Sequence, residues 1–214
     1  MTLSVCYRQR GGDFMEGKTF ENLPEEKKQA ILSAGILCFG RSGYEKTSIA
    51  EIAKEAGISK AAVFHYFGTK NDLFMYLVNY TRNKVSNIFV EGTDDYFETL
   101  TLYAKAYFQI IKKHIGMLEF IRVVNELVAK KSLDTLTELS KDYSEVNDET
   151  IFAKVNWGKF SDIHEHHVIK NITTWVANSC LMDLDKNLSI EALTAETSKY
   201  LDILKNSMYK PEYL

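Results

Sequence analysis

The stretch that most constrains this chain is "EAGISKAAVFHYF", from Glu55 to Phe67. Gly57 can take the left-handed conformation that ends a helix at little steric cost. Only Ile58 then precedes Ser59, a residue type that caps helix starts. Ile58 and Val63 fall at the two staple positions around that cap. Two short helices joined by a glycine turn form a helix-turn-helix. The second of them carries Lys60 and His65, which a buried segment would not hold, beside Phe64, Tyr66 and Phe67, which a solvated face would not gather. One face therefore packs, with Val63 and Phe67 in the core, and the other is left to meet a partner.

The neighbouring sequence extends the helical reading. Pro24-Glu25-Glu26 opens a first helix, since proline suits its first position and acids suit its positive end. Ile31, Ala34, Leu37 and Cys38 repeat at helical spacing up to Arg41-Ser42-Gly43. Ser48 with Glu51 three residues on predicts the start of the second helix. Lys70-Asn71-Asp72 opens a longer fourth helix that carries Leu73, Leu77, Tyr80 and Ile88. "EGTDD" at 91–95 breaks the pattern and reads as a domain joint. Beyond it, Phe97, Leu100, Ala104, Phe108 and Ile111 line one helix. "IGMLEFIRVVNELV" is apolar on most sides and belongs inside a bundle. A helix near 162–182 carries Ile172, Trp175, Val176 and Ser179. A last one spans 190–208, with Ile190, Leu193, Thr197, Tyr200, Leu201 and Leu204. No strand-like alternation or internal repeat appears. The expected fold is all-α: an N-terminal extension (1–24), a helix-turn-helix domain (25–85) and a larger helical domain (86–214).

Residues 25–85 resemble the DNA-binding domain of the TetR family of bacterial transcription regulators. Gly43-Tyr44, Thr47-Ser48-Ile49, Ile52-Ala53, Ala56-Gly57-Ile58-Ser59, Tyr66-Phe67 and Lys70 carry the resemblance in one register. It implies a three-helix head whose third helix enters the major groove. It also implies a dimer on a near-palindromic operator and a small effector bound in the larger domain.

Helix starts present free N–H groups and positive dipole ends, which suit phosphate. Thr47 and Ser48, Ser59 and Lys60, and Lys70 stand at three such starts. Thr47 and Lys70 would hold the DNA backbone and fix register, while Lys60, Ala61, Ala62 and His65 would face base edges. His65 could equally be a surface imidazole. Tyr66 could pack with its ring and reach phosphate with its hydroxyl. The family usually carries tyrosine in place of Phe64 and often threonine in place of Ala62. Contact with a thymine methyl remains open to both.

Composition bounds the alternatives. The first 70 residues hold 10 Lys+Arg against 8 Asp+Glu and the rest hold 16 against 21. That asymmetry permits a DNA-facing N-terminal end. Three cysteines, Cys6, Cys38 and Cys180, form no CxxC pair and point to a reducing cytoplasm. No run approaches a membrane span, and the start lacks a signal peptide. Arg10-Gly11-Gly12 can be encoded as a ribosome-binding sequence, which makes Met15 a candidate start. The absence of GxSxG, a phosphate loop or a clear carboxylate pair argues against an enzyme and calls for no cofactor. "HEHH" places His164 and His167 three apart, which reads as a polar helix face before a metal pair, because Val168 breaks the HExxH pattern. Tyr96, Phe97, Tyr103, Tyr107, Phe108, Phe120, Trp157 and Trp175 could line an effector pocket or fill the core; a mostly apolar effector among residues 95–182 is expected. The rival readings are an activator, a helical ligand-binding protein and a His-rich metalloenzyme.

Overall fold

The computed structural model describes residues 18–130, 148–161, 165–183 and 189–214. The leader with Met15, and His164, lie outside them. The described residues are helical, joined by turns, with a single isolated bridge between Phe160 and Tyr209.

The head comprises α1 (Lys18–Glu21), α2 (Glu25–Lys46), α3 (Ile49–Glu55), α4 (Lys60–Phe67) and α5 (Lys70–Ser86). The caps read from sequence are formed. Ser48 Oγ accepts from the Glu51 N–H and Ser59 Oγ accepts from the Ala62 N–H, each at 3.1 Å. Gly57 has φ 68°, the left-handed value that lets the chain leave α3 after its cap at Ala56. α2 loses its helical angles at Gly43, where the apolar repeat predicts an end. The start of α5 holds a device that sequence reading overlooked. Thr69 and Asp72 exchange side-chain-to-backbone bonds as a full capping box. Ile88, expected on α5, lies past its end: Asn87 caps the helix, and Ile88 is buried from the following turn.

The body contains α6 (Tyr96–Lys113), α7 (Met117–Ala129), α8 (Asp148–Ile151), α9 (His166–Asp183) and α10 (Ile190–Met208). α6 starts at Asp95, whose carboxylate accepts from the Phe97 and Glu98 N–H groups at 3.0 Å. Against α6 lies α10, whose Leu193, Thr197 and Leu201 are buried. Tyr96, Phe97, Phe152, Phe160 and Tyr209 form an aromatic core there, with Phe160 and Tyr209 ring centres 4.7 Å apart.

Head and body share a core. Phe39 of α2 meets Phe74 of α5 at 4.9 Å, and Phe74 meets Phe120 of α7 at 5.4 Å. The widest contact between the two parts runs along α2 and α7. It is closest where Gly40 faces the start of α7. A Cβ on Gly40 would lie 2.9 Å from the Gly116 carbonyl oxygen and 3.0 Å from the Phe120 nitrogen. A Cβ on Gly116 would lie 3.0 Å from the Leu37 Cα. Glycine at both points is what permits two helix backbones to come this near.

Candidate nucleic-acid interface

α4 separates its faces as the packing argument requires. Val63 and Phe67 are buried, while Lys60, Ala61, Phe64 and His65 are exposed. Positions 60, 61, 64 and 65 share one helix face, since residues three and four apart are neighbours. Ala62 is half-buried at the edge of that face. Lys60 Nζ lies 5.7 Å from the centre of the Phe64 ring, so cation and ring present one surface. Tyr66 is half-buried, with its ring 6.0 Å from Phe20 of α1 and 5.7 Å from His65.

The helix starts surround this face. Ser48 and Ser59 are exposed, and each cap spends only its oxygen's acceptor capacity, leaving the hydroxyl proton to donate. Lys70, at the start of α5, lies over the Tyr44 ring at 4.6 Å and donates to the Glu45 carbonyl at 3.1 Å. Burial, then the nearby Glu45 and Asp72 charges, push the Tyr44 phenol above its ordinary value, so it stays protonated. Sequence reading quoted Tyr44 only as part of a match. Its position under Lys70 depends on α2 and α5 meeting across the head, which no local pattern encodes.

Thr47 has a different place from the one expected. Its residue exposure is 2 %. The hydroxyl bonds the Gly43 carbonyl at 2.7 Å and lies 3.1 Å from the Cys38 carbonyl, and its N–H bonds the Gly43 carbonyl at 3.3 Å. Thr47 therefore closes the frayed end of α2, and both its donors are occupied by the head itself. The hydroxyl that sequence reading aimed at phosphate points inward.

The family described as "Bacterial regulatory proteins, tetR family" matches residues 31–77, which run from α2 into α5. The head of this chain is of the TetR type. A helix-turn-helix-type regulator of Bacillus subtilis, YuxN, is 38% identical over 72 residues, covering 32% of this chain and 25% of YuxN. The similarity to that relative is thus a similarity of heads. The helix-turn-helix-type transcriptional regulator LuxR of Vibrio harveyi is 25% identical over 188 residues, 85% of this chain and 90% of LuxR. In three dimensions, a TetR-family regulator from a Rhodococcus species superposes with a TM-score of 0.65 at 17% identity, over 85% of this chain and all of that one. That likeness is one of fold and extends beyond the head.

The matched segment is the one by which such regulators are recognised, and no described helix is long and apolar enough to cross a membrane. Among the described residues no three His, Cys, Asp or Glu side chains gather as metal ligands. His167 is exposed and its Nδ1 lies 3.1 Å from Glu165.

The aromatics proposed for a pocket divide differently. Tyr96, Phe97 and Phe120 are buried in the cores described above, and Trp175 is exposed on α9. Trp157 stacks on Phe160 and, at 4.3 Å, on His166. Of the eight, Phe108 alone lines the cavity of about 570 Å³ that opens at the junction of α2, α6, α7 and α10.

Proposed function

We propose that this regulator is a cytoplasmic homodimeric repressor, released from a near-palindromic operator by a small effector. The observation that carries the reading is the face of α4. Lys60, Ala61, Phe64 and His65 stand clear of a helix anchored by Val63 and Phe67, with capped helix starts on either side. In this reading Lys60, Ala61, Ala62, Phe64 and His65 meet base edges, while Ser48, Ser59, Tyr66 and Lys70 meet phosphate. Thr47 supports them from inside. Repression follows from occupancy, because a dimer sitting on a promoter excludes polymerase without a further contact.

Dimerisation is supported by the outer surface of α9 and α10. Val168, Trp175, Tyr200 and Ile203 are large, apolar and exposed there. Two helices from each subunit would close a four-helix interface and space two recognition helices along one side of the duplex.

The relay between head and body is assigned to α2 and α7. The backbones meet at Gly40 and Gly116, so a shift of α7 cannot be absorbed by side chains and must move α2. An effector acts only through a difference in affinity between the released and DNA-bound forms, and operator DNA must weaken its binding by the same factor.

The test is recovery of genomic DNA on the purified protein, followed by titration of the recovered duplex at several salt concentrations. A specific, salt-dependent site with two half-sites is expected. Equal affinity for recovered and random DNA would end the reading.

A further inference from the structure

The cavity at the junction of head and body has an unusual set of walls. Leu37, Gly40 and Arg41 come from α2; Phe108 and Ile111 come from α6, Gly116 and Leu118 from the start of α7, and Leu193 from α10. Its volume of about 570 Å³ falls within the range of small-molecule sites, ~300–1,000 Å³. The walls are mostly apolar, and Ile115 stands at them with 82 % of its surface exposed. Two cations, Arg41 and Lys112, share the lining with one acid, Glu119. His114 adds no firm charge. Burial first, then Lys84 and Lys113, hold its imidazole below the ordinary value, so it is neutral near pH 7.

We infer that this cavity binds an amphipathic monocarboxylate, its apolar tail against Phe108, Ile111 and Leu193 and its carboxylate at Arg41 and Lys112. The inference rests on the effector-controlled reading above and gives that effector a place and a chemistry. The charge balance selects an anion, since a cationic ligand would meet two like charges in a confined space. Guanidinium suits a carboxylate because its fork can donate two parallel bonds. Arg41 already holds one: its Nη2 lies 3.7 Å from Glu55 of α3, in a pair exposed on both sides. A ligand carboxylate competes with a weak partner there. Such a ligand touches both sides of the Gly40–Gly116 approach. It therefore stands where any change in the packing of α2 on α7 changes its own contacts.

Titration calorimetry on the full chain, with sodium decanoate as the probe, tests the site. One molecule per chain is expected, with decan-1-ol and acetate each at least about tenfold weaker. Ile115→Glu, at an exposed position, sets a like charge at the mouth and should weaken decanoate by about tenfold or more while leaving decan-1-ol little changed. Leu193→Trp should fill the cavity and weaken both. No one-to-one binding of decanoate, or equal binding of decanoate and decan-1-ol, or an affinity unmoved by Ile115→Glu, would each overturn the assignment. Binding of recovered genomic DNA by the unsubstituted protein, without decanoate, is measured separately. It reports on the regulator reading alone, because neither the cavity variant nor the probe is present.

Discussion

Lys70 Nζ lies 4.6 Å from the centre of the Tyr44 ring and 3.1 Å from the Glu45 carbonyl oxygen. The carbonyl belongs to the end of α2 and the lysine to the start of α5, so the ammonium is held between two helix termini. A cation fixed there, with donors to spare, suits a phosphate and not a base edge. Lys70→Ala should weaken operator and random duplex by the same factor and lower the salt slope by about one unit. Fluorescence anisotropy across a salt series gives both quantities. A loss confined to the operator would move Lys70 into the base-reading set.

Lys60 should behave in the opposite way. It stands at the exposed first turn of α4, above the Phe64 ring. If its ammonium reaches a base, Lys60→Ala costs roughly 1–3 kcal/mol on the operator and less on random DNA. Competition of each variant between the two duplexes decides this, and equal losses on both would return Lys60 to the backbone.

The contrast between Lys60 and Thr47 shows where sequence stops informing. The face of α4 was legible because it depends on local rules: Gly57 for the stop, Ser59 for the cap, and the spacing of Val63 and Phe67 for the buried side. Thr47 was not. Whether its hydroxyl faces DNA or the carbonyls of α2 depends on how Gly43 bends the end of that helix, and no local pattern specifies the bend. The head–body contact was hidden for a related reason. Phe39, Phe74 and Phe120 are each plausible core residues, but their meeting is a long-range fact. The expected joint at 91–95 separates helices in sequence, while the packed core passes across it. Ile88 lies two residues past the end of α5 at Ser86, yet its apolar spacing in the sequence imitates helical periodicity.

Gly40 offers a test of the head–body contact. A methyl there would gain about 1 kcal/mol in helix propensity. It would also sit 2.9 Å from the Gly116 carbonyl oxygen and 3.0 Å from the Phe120 nitrogen, both backbone atoms. Neither can turn aside as a side chain would, and overpacking of this kind costs about 1–3 kcal/mol. Gly40→Ala should therefore lower stability by up to about 2 kcal/mol, seen as a fall in the melting temperature of a few degrees. A rise in melting temperature would show that α2 and α7 are not so tightly apposed.

Asp95 gives the body a defined pH dependence. Burial raises its pKa, but the hydrogen bond from Lys205 at 2.8 Å, the Glu98 N–H and the charges of Lys205 and Lys159 outweigh it. The net direction is downward from the ordinary value of 3.8. A carboxylate whose folded value is depressed contributes stability that is complete above its unfolded value and is lost as pH falls through the folded one. Lys205→Met removes the main source of the depression. Its cost near pH 7 should be about 1–3 kcal/mol, less than for a fully buried pair because Lys205 keeps 30 % of its side-chain surface exposed. Acid unfolding followed by circular dichroism should begin at higher pH in the variant. The difference between the proteins should be constant above about pH 5 and shrink in stronger acid. A constant difference down to pH 2 would assign the effect to packing of the lysine stem.

The outer face of α9 and α10 carries the last prediction. Trp175 is 68 % exposed and Ile203 64 %, with Tyr200 and Val168 beside them on the same two helices. Water around large apolar groups is costly, and a second copy of the same face removes it symmetrically, since the patch of a two-fold dimer meets itself. Neither residue supports the fold of one chain, because both lie outside its cores. Ile203→Glu should therefore leave the helical spectrum unchanged while setting two like charges against each other across the two-fold axis. The expected loss in association is about 2 kcal/mol or more, typical of a central interface residue. Sedimentation velocity at micromolar concentration should find a dimer for the parent chain and a lighter, still folded species for Ile203→Glu. The variant should also bind the operator far more weakly, since two heads no longer arrive together. A parent chain that sediments as a monomer with operator present would rule out this face as the dimer interface.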